Sequence, residues 1–269
     1  MFKGSKPGFA IASENMTSTQ YQALLAAMDS DPEIAYYEPE PKYNISQLLV
    51  KEFRQMQFLQ PAMRDILAER STTASGDGSG SVEVDIYIID SGVNHPDLNV
   101  VERIDFTSSD QGELDAARVL ERYALVERFG ILERFEYGLE TATDGTGHGT
   151  HVAGVAAAID DADHSVGVAP GAMIHDFRVL GADGRGETSA VIEALEVIAL
   201  RRQNDPQTPI VVNLSLGTYT GSKKYTALDD AVQNVIDLGA TVVVAAGNQG
   251  SEAWFVSPAH VADAIVVGA

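Results

Sequence analysis

The chain has 269 residues, 45% of them hydrophobic, with 39 acidic against 18 basic side chains and a net charge of −21. The apolar fraction suits a packed core and excludes global disorder, and the length predicts one large or two small domains. A strongly acidic surface repels phosphate backbones, so we expect no nucleic-acid partner. No apolar run approaches the roughly 18 residues that span a bilayer, so we expect no membrane partner. The absence of cysteine excludes disulfides and thiolate chemistry.

Residues 1–45 predict a small strand-helix-strand unit. Apolar side chains at i, i+3, i+4 and i+7 from Tyr21 predict a helix between two short strands. Residues 46–81 follow as a connector, and its last part, 71–80, is so rich in serine, threonine and glycine that it predicts a loop. We therefore expect a separate domain to begin at Val82.

Residues 82–269 alternate predicted strands with predicted helices. Several of the strands are nearly continuous apolar runs, such as Val242 to Ala246, which is typical of strands covered on both faces. This alternation predicts an α/β fold with a parallel sheet and helices on both faces, and a ligand site at the carboxyl ends of the strands. The predicted strands are 82–89, 173–180, 210–216, 241–246 and 264–268, while one predicted helix follows His148 and two others cover 188–202 and 224–238.

The stretch from about 107 to 142 interrupts this alternation. It contains three copies of a six-residue unit, which begin at Leu120, Val126 and Leu132. A period of six fits neither the stripe of a helix nor the alternation of a strand, and three units are too few for a solenoid. We interpret the stretch as an insertion that forms a surface excursion, and a partner-binding role is the alternative.

Three polar residues stand where predicted strands end or a helix begins. Asp90 ends the first buried strand, and Asn248 follows the apolar run 242–246. His148 lies between two glycines at the start of an alanine-rich helix, where it is poorly placed for core packing. Each residue alone has a structural interpretation, such as an aspartate that caps a turn. Together, a carboxylate, an imidazole and an amide at one sheet edge favour a catalytic site in which the amide donates to an oxyanion.

The segments around these residues resemble the subtilisin-like serine protease family, and in places its proteinase K-like members. The matches follow the family's order and span essentially residues 82–269. They are Asp90-Ser-Gly-Val93, Gly147-His-Gly-Thr-His-Val-Ala-Gly154, Gly167-Val-Ala-Pro170, Val179-Leu-Gly-Ala-Asp-Gly184, Asn213-Leu-Ser-Leu-Gly217, Ala246-Gly-Asn248 and Ser257-Pro-Ala259. The resemblance implies a serine-type endopeptidase of subtilisin-like fold that takes a peptide or protein substrate in extended form. It also implies a secreted or extracellular protein, although no signal peptide is visible at the start of the chain.

By this resemblance, Asp90 orients the imidazole of His148, which acts as general base and then general acid, while Asn248 donates to the oxyanion. Two backbone edges hold the extended substrate, because main-chain pairing gives broad affinity. His151 is interpreted as a helix residue rather than a second catalyst. The substrate-binding residues that the resemblance implies are Gly184, Arg185, Gly186, Ser215, Leu216, Gly217, Ala246 and Gly247.

The first 45 residues resemble part of the family's inhibitory propeptide. The likeness lies in the segment that starts at Gly8 and in the run from Ser30 to Pro39. It implies that the chain's own propeptide is an inhibitory partner. A generic strand-helix-strand unit is the alternative.

The sequence departs from the family at the nucleophile. The family's serine lies in a Gly-Thr-Ser-Met-Ala type segment after the aspartate and the histidine, and the 269 residues end at Ala269 before such a segment. Ser189 lies where a helix is predicted to begin, and Ser215 belongs to a substrate edge. Without a nucleophile there is no acyl-enzyme, so we expect a partial protease sequence that is inactive alone. The alternatives are a non-catalytic pseudoprotease or peptide-binding module that retains the cleft, and a zinc-dependent hydrolase that uses Asp90 and His148.

Calcium is the cofactor that the resemblance implies, and no organic cofactor is expected. Asp97 matches the family position of a bidentate calcium carboxylate, and the loop 159–164 matches its partner loop, with Asp161 and Asp163 as further ligands. Hard oxygen ligands of this kind suit calcium. A solvated acidic loop is the alternative on a chain of this charge.

Overall fold

The structure is a computed structural model that describes residues 26, 42–44, 84–107, 144–160, 166–221 and 226–268. Most of the predicted strand-helix-strand unit and the connector therefore lie outside the described residues. The same holds for the repeat at 120–137 and for Asp161 and Asp163. Within the described ranges, no helix is both long and apolar enough to cross a membrane.

Strands and helices alternate through most of the described residues, as the sequence predicts. In chain order the strands are β1 (Lys42–Asn44), β2 (Asp85–Asp90), β3 (Val100–Asp105), β4 (Met173–Arg178), β5 (Arg185–Glu187), β6 (Ile210–Leu214), β7 (Thr218–Tyr219), β8 (Thr241–Ala245), β9 (Val256–Ser257) and β10 (Ile265–Val267). The helices are α1 (His148–Ala157), α2 (Thr188–Asn204) and α3 (Ala227–Asp237), and a short 3₁₀-helix covers Ala253–Phe255.

A six-stranded parallel sheet, in the order β10-β8-β6-β2-β4-β3, forms the centre of the fold. Strand β2 lies inside it, and the side chains of this strand alternate between two cores. Ile86 and Ile88 pack in the core cluster beside α1. Tyr87 and Ile89 pack in the larger cluster beneath α2 and α3. Helices thus cover both faces of a parallel sheet, which confirms the predicted fold class.

The edge strand β3 is absent from the sequence-based prediction, because its charged residues hide the strand pattern. Glu102 accepts two hydrogen bonds of 2.6 Å from the guanidinium of Arg201 on α2, and its carboxylate lies 2.8 Å from Nδ1 of His175 on β4. Burial raises the pKa of Glu102, but these bonds outweigh it and lower the pKa to about 2. Contacts with α2 and β4 therefore place these charges at the edge of the sheet.

Helix α3 begins later than predicted, because a capping box fixes its first turn. The Thr226 hydroxyl accepts from the Asp229 amide, and the Asp229 carboxylate accepts from the Thr226 amide at 2.7 Å. Asp229 is fully buried, accepts from the Ser257 hydroxyl at 2.8 Å and lies 2.6 Å from Nε2 of His260. This network ties the segment that follows β8 to the start of α3.

Strand β10 forms the opposite edge of the sheet from β3, and Ile265 and Val267 on it are 53% and 54% exposed. Because the sheet is parallel, the carboxyl ends of all its strands meet at one edge. Asp90 at the end of β2 and Asn248 after β8 both lie at that edge. Sites in open α/β sheets form there.

Candidate active site

The side chains of Asp90 and His148 meet at the carboxyl end of β2. Asp90 is the last residue of β2 and His148 is the first of α1, so the packing of α1 on the sheet joins them. Nδ1 of His148 lies 2.7 Å from Oδ1 of Asp90, and the Ser91 amide donates to the same oxygen at 2.7 Å. Asp90 is 0% and His148 is 6% exposed, so little water reaches the pair. The structure therefore brings these two predicted site residues into contact.

Opposing influences set the pKa of His148. Burial is the largest and lowers the pKa, because it disfavours the charged imidazolium. The hydrogen bond to Asp90 and the negative charges of Asp90 and Asp144 outweigh burial, so the pKa of His148 is raised. The pKa of His151, one turn further along α1, is instead lowered by burial and by the charge of His148. Of these two histidines, His148 is the one that the surrounding charges favour as a proton acceptor.

Two glycines flank His148 for different geometric reasons. A Cβ on Gly149 would collide with the carbonyl oxygen of Gly92 and would lie 3.1 Å from Cβ of Asp90. Gly147 is the N-cap of α1 and has a φ of 78°, which residues with side chains rarely adopt. Gly147 thus allows the turn into α1, and Gly149 lets α1 approach the end of β2.

Asn248 stands at the same edge of the sheet. It follows β8, which is separated from β2 only by β6, and its side chain is exposed. Gly247 before it has a φ of 91° and turns the chain out of the strand. An amide that is to donate to a substrate oxyanion must be open to the substrate, and the exposure of Asn248 meets that condition.

The first predicted substrate edge contains a turn followed by β5. Gly184 has a φ of 73°, and a Cβ on Gly186 would collide with the carbonyl oxygen of Val179. Strand β1 pairs antiparallel with β5, with Tyr43 opposite Gly186 and Asn44 opposite Arg185. A strand of the chain itself thus lies along this predicted edge.

The second predicted edge, Ser215 to Gly217, runs directly into β7, which β1 also contacts. Leu216 is buried at 3% exposure, and the Ser215 hydroxyl accepts from Nδ2 of Asn213 at 2.9 Å. Ser189, the other serine considered in the sequence, lies in the first turn of α2. Strand β1 therefore lies beside elements of both predicted edges.

Val256 occupies the space between Gly217 and Gly247. A Cβ on Gly217 would lie 3.1 Å from one methyl of Val256, and a Cβ on Gly247 would lie 3.0 Å from the other. Val256 itself is 1% exposed. Val256 therefore packs against both of these predicted substrate-binding glycines, the second of which follows Ala246.

Asp97 lies beside the start of the acidic loop. Its carbonyl oxygen accepts from the Ile159 amide at 3.1 Å, and the neighbouring Leu98 forms a β-bridge with Ala158. Asp161 and Asp163, the other predicted calcium ligands, lie outside the described residues. Among the side chains that the structure describes, no three histidine or acidic groups are arranged to hold a metal ion.

Two acidic residues near the site, the half-buried Asp144 and the buried Asp176, were missed by the sequence reasoning. Asp144 accepts hydrogen bonds from the first turn of α1 and from Ser91. Asp176 on β4 is 0% exposed, and burial raises its pKa to about 7 against the opposing effects of the Val93 backbone and Arg103. Asp144 stands four residues before the catalytic-type histidine and has the spacing of a cap, which could have revealed it. No pattern in the neighbouring sequence indicates that Asp176 is buried, because strands β2 and β3, which flank β4, are distant from it in sequence.

Comparison with known proteins gives consistent matches. The family model described as the subtilase family matches residues 82–269. The "Extracellular serine proteinase" of Thermus sp. (strain Rt41A) is 33% identical over 253 residues, which cover 91% of this chain and 49% of that protein. Subtilisin BL of Lederbergia lenta is 35% identical over 193 residues, which cover 71% of this chain and 56% of that protein. The solved structure of sphericase shares 28% identity with a TM-score of 0.54, covering 76% of this chain and 58% of that chain.

The structure is therefore an α/β protein with a parallel sheet and a buried aspartate-histidine pair at the carboxyl edge of that sheet. The chain belongs to the subtilase family, because the family model covers residues 82–269 and relatives more than 30% identical span most of the chain. This confirms the resemblance found in the sequence. The chain spans about half the length of the curated relatives it matches.

Proposed function

We propose that this chain carries the acid-base part of a serine endopeptidase that hydrolyses peptide bonds. The observation that supports it most is the 2.7 Å contact between His148 Nδ1 and Asp90 Oδ1 in a site with little access to water. The raised pKa of His148 gives the imidazole more affinity for a proton than an isolated one has. An imidazole held in this way can take a proton from a serine hydroxyl and return it to a leaving amine.

The proposed reaction uses a serine supplied by a Gly-Thr-Ser segment of the family type. His148 removes the hydroxyl proton as the serine oxygen bonds to the scissile carbonyl carbon, and the carbonyl electrons move to oxygen. Asn248 donates a hydrogen bond to that oxyanion. When the intermediate collapses, the carbon–nitrogen bond breaks and His148 protonates the amine. Water then hydrolyses the acyl-enzyme by the same sequence of steps, with His148 again as the base and then the acid, while Asp90 keeps the imidazole oriented.

The pairing of β1 with β5 supports an inhibitory role for the segment that contains it. Residues 42–44 run antiparallel to 185–187, as an extended peptide would on a sheet edge. A strand in that place excludes a substrate that needs the same backbone groups. The substrate class in this proposal is accordingly a peptide or protein in extended form, and residues 1–45 act as an internal competitor.

A fusion tests the proposed function. We expect a polypeptide of the 269 residues neither to cleave peptides nor to react with a serine-directed phosphonate, because these residues contain no Gly-Thr-Ser segment. Joining it to the carboxyl-terminal segment of a family member that contains Gly-Thr-Ser should restore both activities. The control fusion carries alanine in place of that serine and should have neither. A folded fusion that stays inert with Asp90, His148 and Asn248 intact would contradict the proposal.

A peptide-binding module without catalysis is the alternative. The pairing of β1 with β5 favours this module over a metal-dependent hydrolase, because an extended segment already lies along that edge. The peptidase and the binding module both need the edges at 184–186 and 215–217, so peptide binding alone does not separate these two functions. In the fusion experiment, tight peptide binding without cleavage or phosphonate labelling would support the binding module.

We also propose that calcium binds as a structural ligand. The backbone hydrogen bond from the Ile159 amide to the Asp97 carbonyl oxygen places Asp97 beside Ile159, and carboxylate and carbonyl oxygens fit calcium. Bound there, calcium would supply a crosslink between the loop that begins at Ile159 and the segment after β2.

We propose, in addition, that the protein is secreted. This extracellular location is supported by the printed name of the Thermus relative.

Calcium at about millimolar concentration is expected to raise the melting temperature, because an ion that binds only the native state stabilises it by mass action. Asp97→Asn should abolish the shift, since it removes a charged ligand. The matched control is Asp237→Asn, which removes an exposed carboxylate on α3 and should leave the shift in place. An equal calcium response in the parent and in Asp97→Asn would remove Asp97 from the site.

A further inference from the structure

The carboxylate of Asp144 joins the loop after β2 to the first turn of α1. Its Oδ1 accepts from the Ser91 hydroxyl and from the Gly147 amide, both at 2.8 Å. Its Oδ2 accepts from the Thr150 amide at 2.8 Å. The N-cap Gly147 has no side-chain cap of its own, so Asp144 supplies acceptors for amides that have no partner inside the helix.

The Ser91 hydroxyl extends this connection to both sides of His148. It accepts from the Gly149 amide at 3.1 Å and from the Thr146 hydroxyl at 2.7 Å. The Thr146 hydroxyl oxygen in turn accepts from the His148 amide at 3.1 Å. The backbone amide of Ser91 donates to Asp90, so Ser91 is bonded directly to Asp90 and, through Thr146 and Gly149, to the backbone on both sides of His148.

We propose that Asp144 is a positioning residue, which holds the start of α1 on the Ser91 loop and thereby fixes the imidazole of His148 against Asp90. The inference rests on the proposed peptidase function for its consequence in catalysis. Asp144 does not contact the reacting atoms in this scheme. Its effect passes through the backbone on each side of His148 and through its charge.

The charge and the hydrogen bonds of Asp144 have separable effects. The charged groups that raise the pKa of His148 are Asp90 at the end of β2 and Asp144 in the loop before α1, while His151 on α1 has its own pKa lowered by the charge of His148. The negative charge of Asp144 is one of the causes that raise the pKa of His148. The hydrogen bond that the Ser91 hydroxyl donates to Asp144 instead fixes the position of the loop.

Two substitutions separate these effects. Asp144→Asn keeps one acceptor oxygen but removes the charge and the bond to the Thr150 amide, while Ser91→Ala keeps the charge and removes only the hydroxyl. In the 269-residue chain, NMR titration of the His148 ring should show a lower pKa in Asp144→Asn and an unchanged pKa in Ser91→Ala. In the fusion, both variants should lose about 10- to 100-fold in kcat/KM, because misplacement of a catalytic group by about 1 Å has that effect.

The matched control is Asp105→Asn, which removes a carboxylate that pairs with Arg178 on the neighbouring strand. It should change neither the His148 titration nor kcat/KM by more than about twofold. A His148 pKa in Asp144→Asn that is no lower than in Asp105→Asn overturns the inference, and so does full activity of Asp144→Asn. If Asp144→Asn fails to fold, full activity of Ser91→Ala overturns it instead.

The titration needs no catalysis, so the two proposals can fail separately. If every fusion is inactive but Asp144→Asn lowers the pKa of His148 beyond the control, the peptidase proposal fails and the electrostatic part of the positioning role stands. If the parent fusion is active and neither variant differs from it, the positioning role fails and the peptidase proposal stands.

Discussion

Replacing Gly149 by alanine is expected to lower kcat/KM of the fusion enzyme by on the order of 10² to 10³. The added methyl would collide with the Gly92 carbonyl oxygen and would lie 3.1 Å from Cβ of Asp90. Since backbone at the end of β2 cannot yield as a flexible side chain does, α1 must move away. The 2.7 Å contact between His148 and Asp90 then lengthens. Steady-state cleavage of a peptide substrate measures the loss.

Gly147→Ala is the matched control on the other side of His148. A Cβ there meets nothing within 4 Å, so the cost is only the strain of a φ of 78°, about 1 to 2 kcal/mol, and most activity should remain. At position 149, inside α1, helix propensity alone would favour alanine by about 1 kcal/mol. Two results would show that close approach of α1 to β2 does not position His148. One is full activity of Gly149→Ala. The other is a Gly149→Ala protein that is more stable than the parent and no less active than Gly147→Ala.

Replacing Asp176 by asparagine is expected to stabilise the protein at neutral and alkaline pH. Burial raises the pKa of Asp176 from 3.8 to about 7 in the folded chain, against the opposing Val93 backbone and Arg103. Between these two values the unfolded chain releases a proton that the folded chain keeps, so the native state loses stability as pH rises. Above about pH 7 the loss is complete and on the order of 4 kcal/mol. Asparagine does not ionise, so the variant does not lose this stability as pH rises.

Denaturant unfolding of the parent and Asp176→Asn near pH 4 and near pH 8 measures this difference. The two proteins should have similar free energies of unfolding near pH 4, and the variant should be the more stable near pH 8. Asp105→Asn is the control on β3, where a carboxylate that is 38% exposed pairs with Arg178, and its effect should stay within about 0.5 kcal/mol. If the difference in the free energy of unfolding between Asp176→Asn and the parent does not increase from pH 4 to pH 8, burial of Asp176 does not destabilise its ionised form.

Local patterns were sufficient to predict the central strands and the histidine helix. Strand β2 is apolar on both faces because α1 covers one and α2 and α3 cover the other, and that burial is visible as a continuous apolar run. The start of α1 was predictable from the glycine-rich segment around His148, which leads directly into an alanine-rich run. In both cases the surroundings leave a signature in neighbouring residues.

The edge strand β3 and the buried charges could not be predicted in the same way. Strand β3 is stabilised by Glu102, whose partners Arg201 and His175 stand 99 and 73 residues away. The 0% exposure of Asp176 likewise depends on the packing of strands that are distant in sequence. Such contacts arise only when the chain folds, and no single window of sequence contains both partners.

The candidate site shows the same division. The family motifs gave Asp90, His148 and Asn248, and the structure places the first two in contact. The motifs did not reveal how the loop before α1 is held, because the hydrogen bond between Asp144 and Ser91 crosses 53 residues. Candidate catalytic residues can thus be found by motif, while the residues that contact them through distant parts of the chain are found from the packed structure.

The central claim is that His148, oriented by Asp90, moves the proton in peptide-bond hydrolysis. Its most direct test compares His148→Ala with His151→Ala in the active fusion, since both histidines lie on the same helix one turn apart. We predict that His148→Ala lowers kcat/KM by on the order of 10⁴ to 10⁶, whereas His151→Ala stays within about tenfold of the parent. Equal losses in the two variants, or a His148→Ala enzyme that still cleaves at near-parent rates, would contradict the account.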